Sequence, residues 1–235
     1  MKKLSIIAIT IVLLMSCNQA TTQDTKAKET NKPNEVLAVS PVPPTETAFT
    51  FDNYEAGKTP SGWSNYFTGK GGLGHWEILD VEGNKILAQV SKENYGYHFD
   101  VIVYDDLSCT DVEITVKFKG VEGSEDQGGG PVWRYQDADN YYIARANPLE
   151  NNYRVYKVIN GNRKQLKSVN MEINTGKWYT LKITMEGDEI NCYFDGELKL
   201  KTSDSSFSNP GKTGLWTKAD AVTYFDDFEV VTFEK

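Results

Sequence analysis

The stretch Tyr179-Thr180-Leu181-Lys182-Ile183-Thr184-Met185-Glu186, with its continuation Gly187-Asp188-Glu189-Ile190-Asn191-Cys192-Tyr193-Phe194-Asp195-Gly196-Glu197-Leu198-Lys199-Leu200-Lys201, decides the fold class. Tyr179, Leu181, Ile183 and Met185 alternate with Thr180, Lys182, Thr184 and Glu186. A period of two places one set on a buried face and the other in water, which is a half-buried β-strand. Gly187-Asp188 marks a turn, and Ile190, Cys192 and Phe194 resume the alternation. Asp195-Gly196 is a two-residue hairpin signal, because both central residues of such a turn need positive φ. Leu198 and Leu200 then alternate with Glu197, Lys199 and Lys201.

The same period runs outward in both directions. Val112, Ile114, Val116 and Phe118 alternate with Glu113, Thr115, Lys117 and Lys119, and Asn160-Gly161 signals a second tight hairpin between Tyr153–Ile159 and Lys164–Val169. Further strands are expected at Phe49–Asp52, Trp76–Asp80, Lys85–Ser91, Tyr97–Tyr104, Val132–Gln136, Tyr141–Asn147, Gly214–Thr217 and Thr223–Val230, with loops at Gly69–Gly74 and Gly120–Gly130. No long segment carries a helical apolar period. Many short strands separated by turns imply an all-β, two-sheet antiparallel jelly-roll sandwich.

One region breaks the clean alternation. Gly128-Gly129-Gly130-Pro131-Val132-Trp133-Arg134-Tyr135 leads through a short turn to Tyr141-Tyr142-Ile143-Ala144-Arg145-Ala146-Asn147, and a loop precedes Tyr153-Arg154-Val155-Tyr156-Lys157. Aromatics, arginines and asparagines interleave here at strand spacing. Rings that stack and amides or guanidiniums that hydrogen-bond are what a sugar-binding surface requires. The expected arrangement is one sheet of clean strands, apolar inside and charged outside, and a second sheet whose outer face is polar and aromatic. Arg134, Arg145, Asn147, Arg154 and Tyr156 are the candidate carbohydrate-binding residues, with Trp216, Lys218 and Trp133 behind them. If Pro148–Asn151 closes a hairpin, Asn147 faces Asn152 and Arg145 faces Arg154. Adjacent arginines repel unless a ligand bridges them or an acid such as Glu150 or Asp137 pairs with them.

The chain begins with a different kind of sequence. Lys2 and Lys3 precede an apolar run from Leu4 to Met15. That is a secretory leader, short for a bilayer span. Leu14-Met15-Ser16-Cys17 resembles a bacterial lipobox, which implies lipidation of Cys17, a signal peptide over 1–17 and a cell-envelope location, at the outer membrane or surface in a Gram-negative cell. Residues 18–47 are rich in Thr, Lys, Asn and Pro and have little apolar content, so they read as a disordered tether. The domain is expected over 48–235.

The chain of 235 residues carries a formal net charge of −8. Such an acidic chain argues against nucleic acid, which selects basic patches, and against lying flat on anionic lipid. The expected membrane contact is through the lipid alone. Beyond Cys17, export permits a bridge between Cys109 and Cys192, while the alternation of Cys192 with Ile190 and Phe194 suits a buried free thiol.

Several motifs together resemble the concanavalin A-like lectin/glucanase superfamily in its laminin-G-like branch. Gly176-Lys177-Trp178 before the Tyr179 strand, Cys192-Tyr193-Phe194-Asp195-Gly196, Gly211-Lys212-Thr213-Gly214-Leu215-Trp216 and Tyr224-Phe225-Asp226-Asp227-Phe228 carry the likeness to that branch. Trp133-Arg134-Tyr135-Gln136-Asp137 with Asn140-Tyr141-Tyr142 resembles a hairpin of the 3-keto-disaccharide hydrolase group. The resemblance covers about 49–231. It implies a jelly roll that binds polysaccharide or oligosaccharide on its concave sheet. It also allows a hydrolase or lyase on keto- or oxidised sugars, or a non-catalytic structural or protein-interaction module.

It makes a structural calcium plausible as well, at Asp52, Asp226 and Asp227, which fall in the first and last expected strands. The superfamily's glucanases carry a Glu-x-Asp-x-x-Glu strand. Here the nearest string is Glu77-Ile78-Leu79-Asp80-Val81-Glu82, whose spacing turns Glu77 and Asp80 to opposite faces. There is no Gly-x-Ser-x-Gly elbow and no zinc-type histidine pair. His75 and His98 stand apart, and nothing in the sequence selects either as a base.

Overall fold

A computed structural model of the chain describes residues 44–233. The leader, Cys17 and most of the tether lie outside the described residues. Fifteen strands and no helix occur among those described: β1 Thr45–Phe49, β2 Trp63–Gly69, β3 Trp76–Val81, β4 Asn84–Gln89, β5 His98–Cys109, β6 Asp111–Glu122, β7 Gly129–Asp137, β8 Asn140–Asn147, β9 Asn152–Ile159, β10 Asn162–Asn170, β11 Tyr179–Glu186, β12 Glu189–Phe194, β13 Glu197–Ser203, β14 Gly211–Lys218 and β15 Val222–Phe233.

They form two antiparallel sheets. The first runs β13-β12-β11-β6-β15-β4-β3, with β1 paired to the far half of β15. The second runs β10-β9-β8-β7-β14-β5-β2. The clean strands build the first sheet and the mixed strands 129–159 lie in the second, as the alternation implies. Both predicted hairpins close on left-handed residues, Asn160 (φ 49°) with Gly161 (φ 73°) and Asp195 (φ 47°) with Gly196 (φ 82°).

The core between the sheets takes Ile114, Phe118, Ile183 and Phe225 from the first and Trp133, Tyr142, Tyr153 and Leu215 from the second. A separate apolar cluster, which includes Phe99, Tyr141, Tyr156 and Trp216, is drawn from the second sheet alone. Alternation along β8 and β9 sets it on that sheet's outer face. Both faces of the second sheet are therefore packed, which explains its near-continuous apolar and aromatic character.

The boundaries differ from expectation at several places. β1 starts at Thr45, inside the stretch read as tether, because its backbone pairs with Val230–Thr232 whatever its side chains are. Phe51, expected in that strand, stands in a turn at φ 63°. β2 was not expected at all, since Trp63-Ser64-Asn65-Tyr66-Phe67-Thr68-Gly69 shows no clean period. It is an edge strand held by β5. The segment 120–130 is loop only at 123–128, because β6 and β7 extend into it from either side.

The triple glycine is explained by close packing. A Cβ on Gly130 would lie 2.0 Å from the Ala144 carbonyl oxygen, and one on Gly128 would lie 2.7 Å from Cδ of Arg145. Cys109 and Cys192 are both free thiols. Burial pushes the Cys109 thiol up to about 11.

Candidate functional site

The β8–β9 hairpin carries the site. Its register pairs Arg145 with Arg154, Asn147 with Asn152 and Ile143 with Tyr156, all on the outer face. The hairpin turn closes because Asn147 Oδ1 accepts from the backbone nitrogens of Leu149 (2.9 Å) and Glu150 (3.3 Å). This Asx turn brings Glu150 back over the paired arginines.

Glu150 resolves their repulsion. Its Oε2 accepts from Arg145 Nη2 at 2.8 Å, Arg154 Nη1 at 2.9 Å and Asn152 Nδ2 at 3.0 Å. Burial by itself would raise the carboxyl's pKa. The hydrogen bonds from Arg145 and Asn152, and the two guanidinium charges, outweigh it and bring it down to about 2. Asp137, the other acid considered, instead accepts from Asn140 and the backbone of Asp139 at its own turn.

Beneath Glu150 lies a second acid that the sequence did not reveal. Asp126 is fully buried in the 123–128 loop. Its carboxylate accepts from Gly128 N (2.7 Å), Lys218 Nζ (2.8 Å), Asn147 Nδ2 (3.0 Å) and Arg145 Nη1 (3.4 Å). The loop is held by Asp220, which accepts from the backbone nitrogens of Ser124 (2.7 Å), Glu125 (3.0 Å) and Asp126 (3.0 Å). In sequence Asp126 is one acid in a polar, glycine-rich loop. Only the Gly128–Gly130 run beside it hints that the chain must come close to something.

The site therefore has two tiers. Asp126, Arg145, Asn147 and Asn152 form a buried base. Glu150, Arg154 and Lys218 rise from it, their side chains 36%, 28% and 14% exposed. Arg154 also donates to Ser168 Oγ (3.1 Å) and Tyr156 Oη (3.3 Å). Tyr156 and Trp216 lie on the same face but are buried, and the Arg163 guanidinium covers both rings at 4.5 and 5.7 Å. Trp216 is a floor for the site and not an open stacking platform. Arg163 was also missed by sequence reasoning, because β10 is otherwise an unremarkable polar strand.

Arg134 does not join this cluster. Strict alternation puts it on the outer face beside Val132, but it adopts φ 46° at a bulge where the β7–β8 register shifts. The bulge re-aims its guanidinium to the carbonyls of Thr110 (2.8 Å), Phe207 (2.7 Å) and Gly187 (2.7 Å), so it ties loops together. Trp133 faces the core, where its Nε1 donates to Met185 Sδ at 3.0 Å.

The three aspartates do not fit a calcium ion. Asp226 Oδ2 accepts from Asn84 Nδ2 (2.9 Å), Asp227 pairs with Lys117 (2.6 Å) and Asp52 Oδ1 accepts from the Lys85 backbone (3.3 Å). Each carboxylate thus has a protein donor of its own. Among the described residues no group of three or more His, Cys, Asp or Glu side chains could hold a metal.

Glu77 sits on the first sheet next to His75 (3.5 Å), and Asp80 caps the turn at Gly83 N (2.9 Å). His98 is buried between the sheets. Its Nε2 lies 2.9 Å from Asp100 Oδ1, and its Nδ1 meets the Lys70 carbonyl. Both ring nitrogens face acceptors, an arrangement that favours the doubly protonated imidazolium. Burial opposes that charge, but the hydrogen bond to Asp100, its negative charge and the Lys70 carbonyl together raise the pKa.

Comparison with known proteins agrees with this architecture. A levanase of Bacillus subtilis (strain 168) is 25% identical over 154 residues, which is 65% of this chain and 19% of the levanase. The carbohydrate-binding module CBM66 from Bacillus subtilis superposes with a TM-score of 0.59 at 24% identity, over 77% of this chain and 99% of that one. A Bacillus licheniformis β-glucanase superposes with a TM-score of 0.55 at 14% identity, over 80% and 98%. The fold is thus the two-sheet jelly-roll sandwich that CBM66 and the β-glucanase share. Residues 50–231 match one family throughout, and the chain belongs to the 3-keto-alpha-glucoside-1,2-lyase-like domains.

Proposed function

We propose that this domain binds a glycan, without cleaving it, on the outer face of the second sheet, through Glu150 and Arg154. The observation that carries the reading is the Glu150 carboxylate, part-exposed and clamped between Arg145 and Arg154 on a face otherwise closed by aromatic rings. Sugar hydroxyls need fixed acceptors and donors. Groups already held in place by a buried network bind without the entropic cost of being ordered.

The same electrostatics disfavour Glu150 as a general acid. A general acid must carry a proton at working pH, and a carboxyl brought down to about 2 carries none. Asp126, the other acid here, is fully enclosed. We further propose that lipid on Cys17 holds the domain at the cell envelope. The basic-apolar leader and the apolar-poor stretch after it support this.

Family membership supports a second reading, elimination or hydrolysis of keto- or oxidised sugars. The levanase likeness places fructans among the glycans to test. Calorimetry against fructans, glucans and uronates, beside turnover assays on 3-keto-glycosides, separates the readings. Binding at millimolar concentration or tighter, weakened at least about tenfold by Glu150→Gln, is the expected result. Turnover would move the assignment to the second reading. Absence of any bound glycan, together with a partner captured from membranes independently of sugar, would replace both with a protein-interaction role.

A further inference from the structure

Four cationic side chains from β8, β9, β10 and β14 stand on the outer face of the second sheet, and three of them hold an acid. Arg145 holds Asp126 and Glu150, Arg154 holds Glu150, and Lys218 holds Asp126. Arg163 is the fourth. Among the described residues no carboxylate is paired with it, and its Nη1 is buried without a hydrogen-bond partner.

Its position is well determined. The register sets Arg163 opposite Val158, on the face of Tyr156 and Arg154. Its backbone nitrogen donates to Tyr97 Oη at 2.7 Å, and that hydroxyl donates to the Gly161 carbonyl at 2.8 Å. The guanidinium stands over the rings of Tyr156 (4.5 Å), Phe99 (4.8 Å) and Trp216 (5.7 Å). Rings satisfy the flat faces of a guanidinium. The N–H groups lie in its plane and need acceptors there, which the rings do not supply. Arg163 is only partly buried, and its Nε and Nη2, unlike Nη1, are not enclosed, so the Nε–Nη2 edge is within reach of a ligand. Burial lowers its pKa and repulsion from Arg145 adds to that, outweighing the support that Tyr156, Asp126 and Tyr97 give the charge from a distance.

We propose that Arg163 receives the carboxylate of an acidic sugar, and that the glycan bound at this face is uronate-bearing. The planar fork of a guanidinium matches a carboxylate through two parallel hydrogen bonds. The chain's net charge of −8 disfavours an anionic ligand at long range, so recognition depends on this local cation. The inference rests on the glycan-binding reading of the Glu150–Arg154 face.

The test is calorimetry of the full chain with trigalacturonate and with the same trisaccharide after its carboxylates are reduced to hydroxymethyl groups. Wild type should prefer the uronate by about tenfold or more. Arg163→Gln should remove that preference, weakening the uronate far more than the neutral sugar. Arg163→Lys, which keeps the charge, should retain part of it. Thermal melting of each variant checks that the sheet is intact. Equal wild-type affinity for the two sugars, or equal weakening of both by Arg163→Gln, would overturn the assignment. In that case binding of the neutral sugar that Glu150→Gln abolishes would leave the glycan-binding function standing. Failure of both sugars to bind would overturn the uronate assignment and leave the glycan-binding reading to the wider panel.

Discussion

Asp126 is the residue on which the site stands. A fully buried carboxylate that takes four donors compensates its own desolvation, and removing it takes the buried acid from Lys218 and leaves Arg145, which has no exposed surface, with Glu150 as its one acid. Asp126→Ala should therefore destabilise the domain by about 3–5 kcal/mol, measured by urea unfolding. A loss under about 1 kcal/mol would mean that the network contributes little. His98 makes a second prediction at this scale, with a definite sign. Its folded-state pKa is raised above the ordinary 6.5. A group raised on folding adds stability that is fully present below the unfolded value and is lost as pH climbs through the folded one. Unfolding free energy should thus decline as pH rises from about 6 upward. His98→Gln, which cannot gain the charge, should flatten that part of the profile. An unchanged profile in the variant would refute the buried imidazolium.

At the scale of elements, the positions of β7 and β8 depend on backbone contact that only glycine permits. Gly130→Ala would drive a methyl into the Ala144 carbonyl, 2.0 Å from the ideal Cβ position. We expect a loss of about 1–3 kcal/mol or more, with a lowered melting temperature. A neutral substitution would show that the two strands are not so tightly apposed. The same elements mark what sequence can and cannot disclose. β6, β11 and β12 were legible because one face is wet and the other dry, which writes a period of two. β2 was not, since an edge strand is fixed by its partner β5 and not by its own pattern. The Arg145–Arg154 pairing was legible because hairpin length fixes register. Arg134 was misplaced because a bulge leaves no signature in alternation, and one left-handed residue turned the guanidinium toward three loop carbonyls.

For the whole molecule, the two sheets divide the work. The first is a conventional amphipathic layer. The second is packed on both faces, and its outer face ends in a charged cluster whose acids and bases come from β8, β9, β14 and the 123–128 loop. Asp126 and Arg163 were beyond sequence reasoning because their meaning arises only when loop and strand meet. The lipid anchor is a prediction at this scale too. Cys17→Ser should shift the protein from the membrane to the soluble fraction on fractionation, and unchanged membrane association would contradict it. The central claim is glycan binding through the clamped carboxylate. The most direct test is calorimetric titration of wild type and Glu150→Gln with a glycan panel. A sugar bound by wild type and weakened at least about tenfold in the variant, with melting intact, is the predicted result. Equal affinity in the two proteins, or no sugar bound by wild type at millimolar concentration, would contradict it.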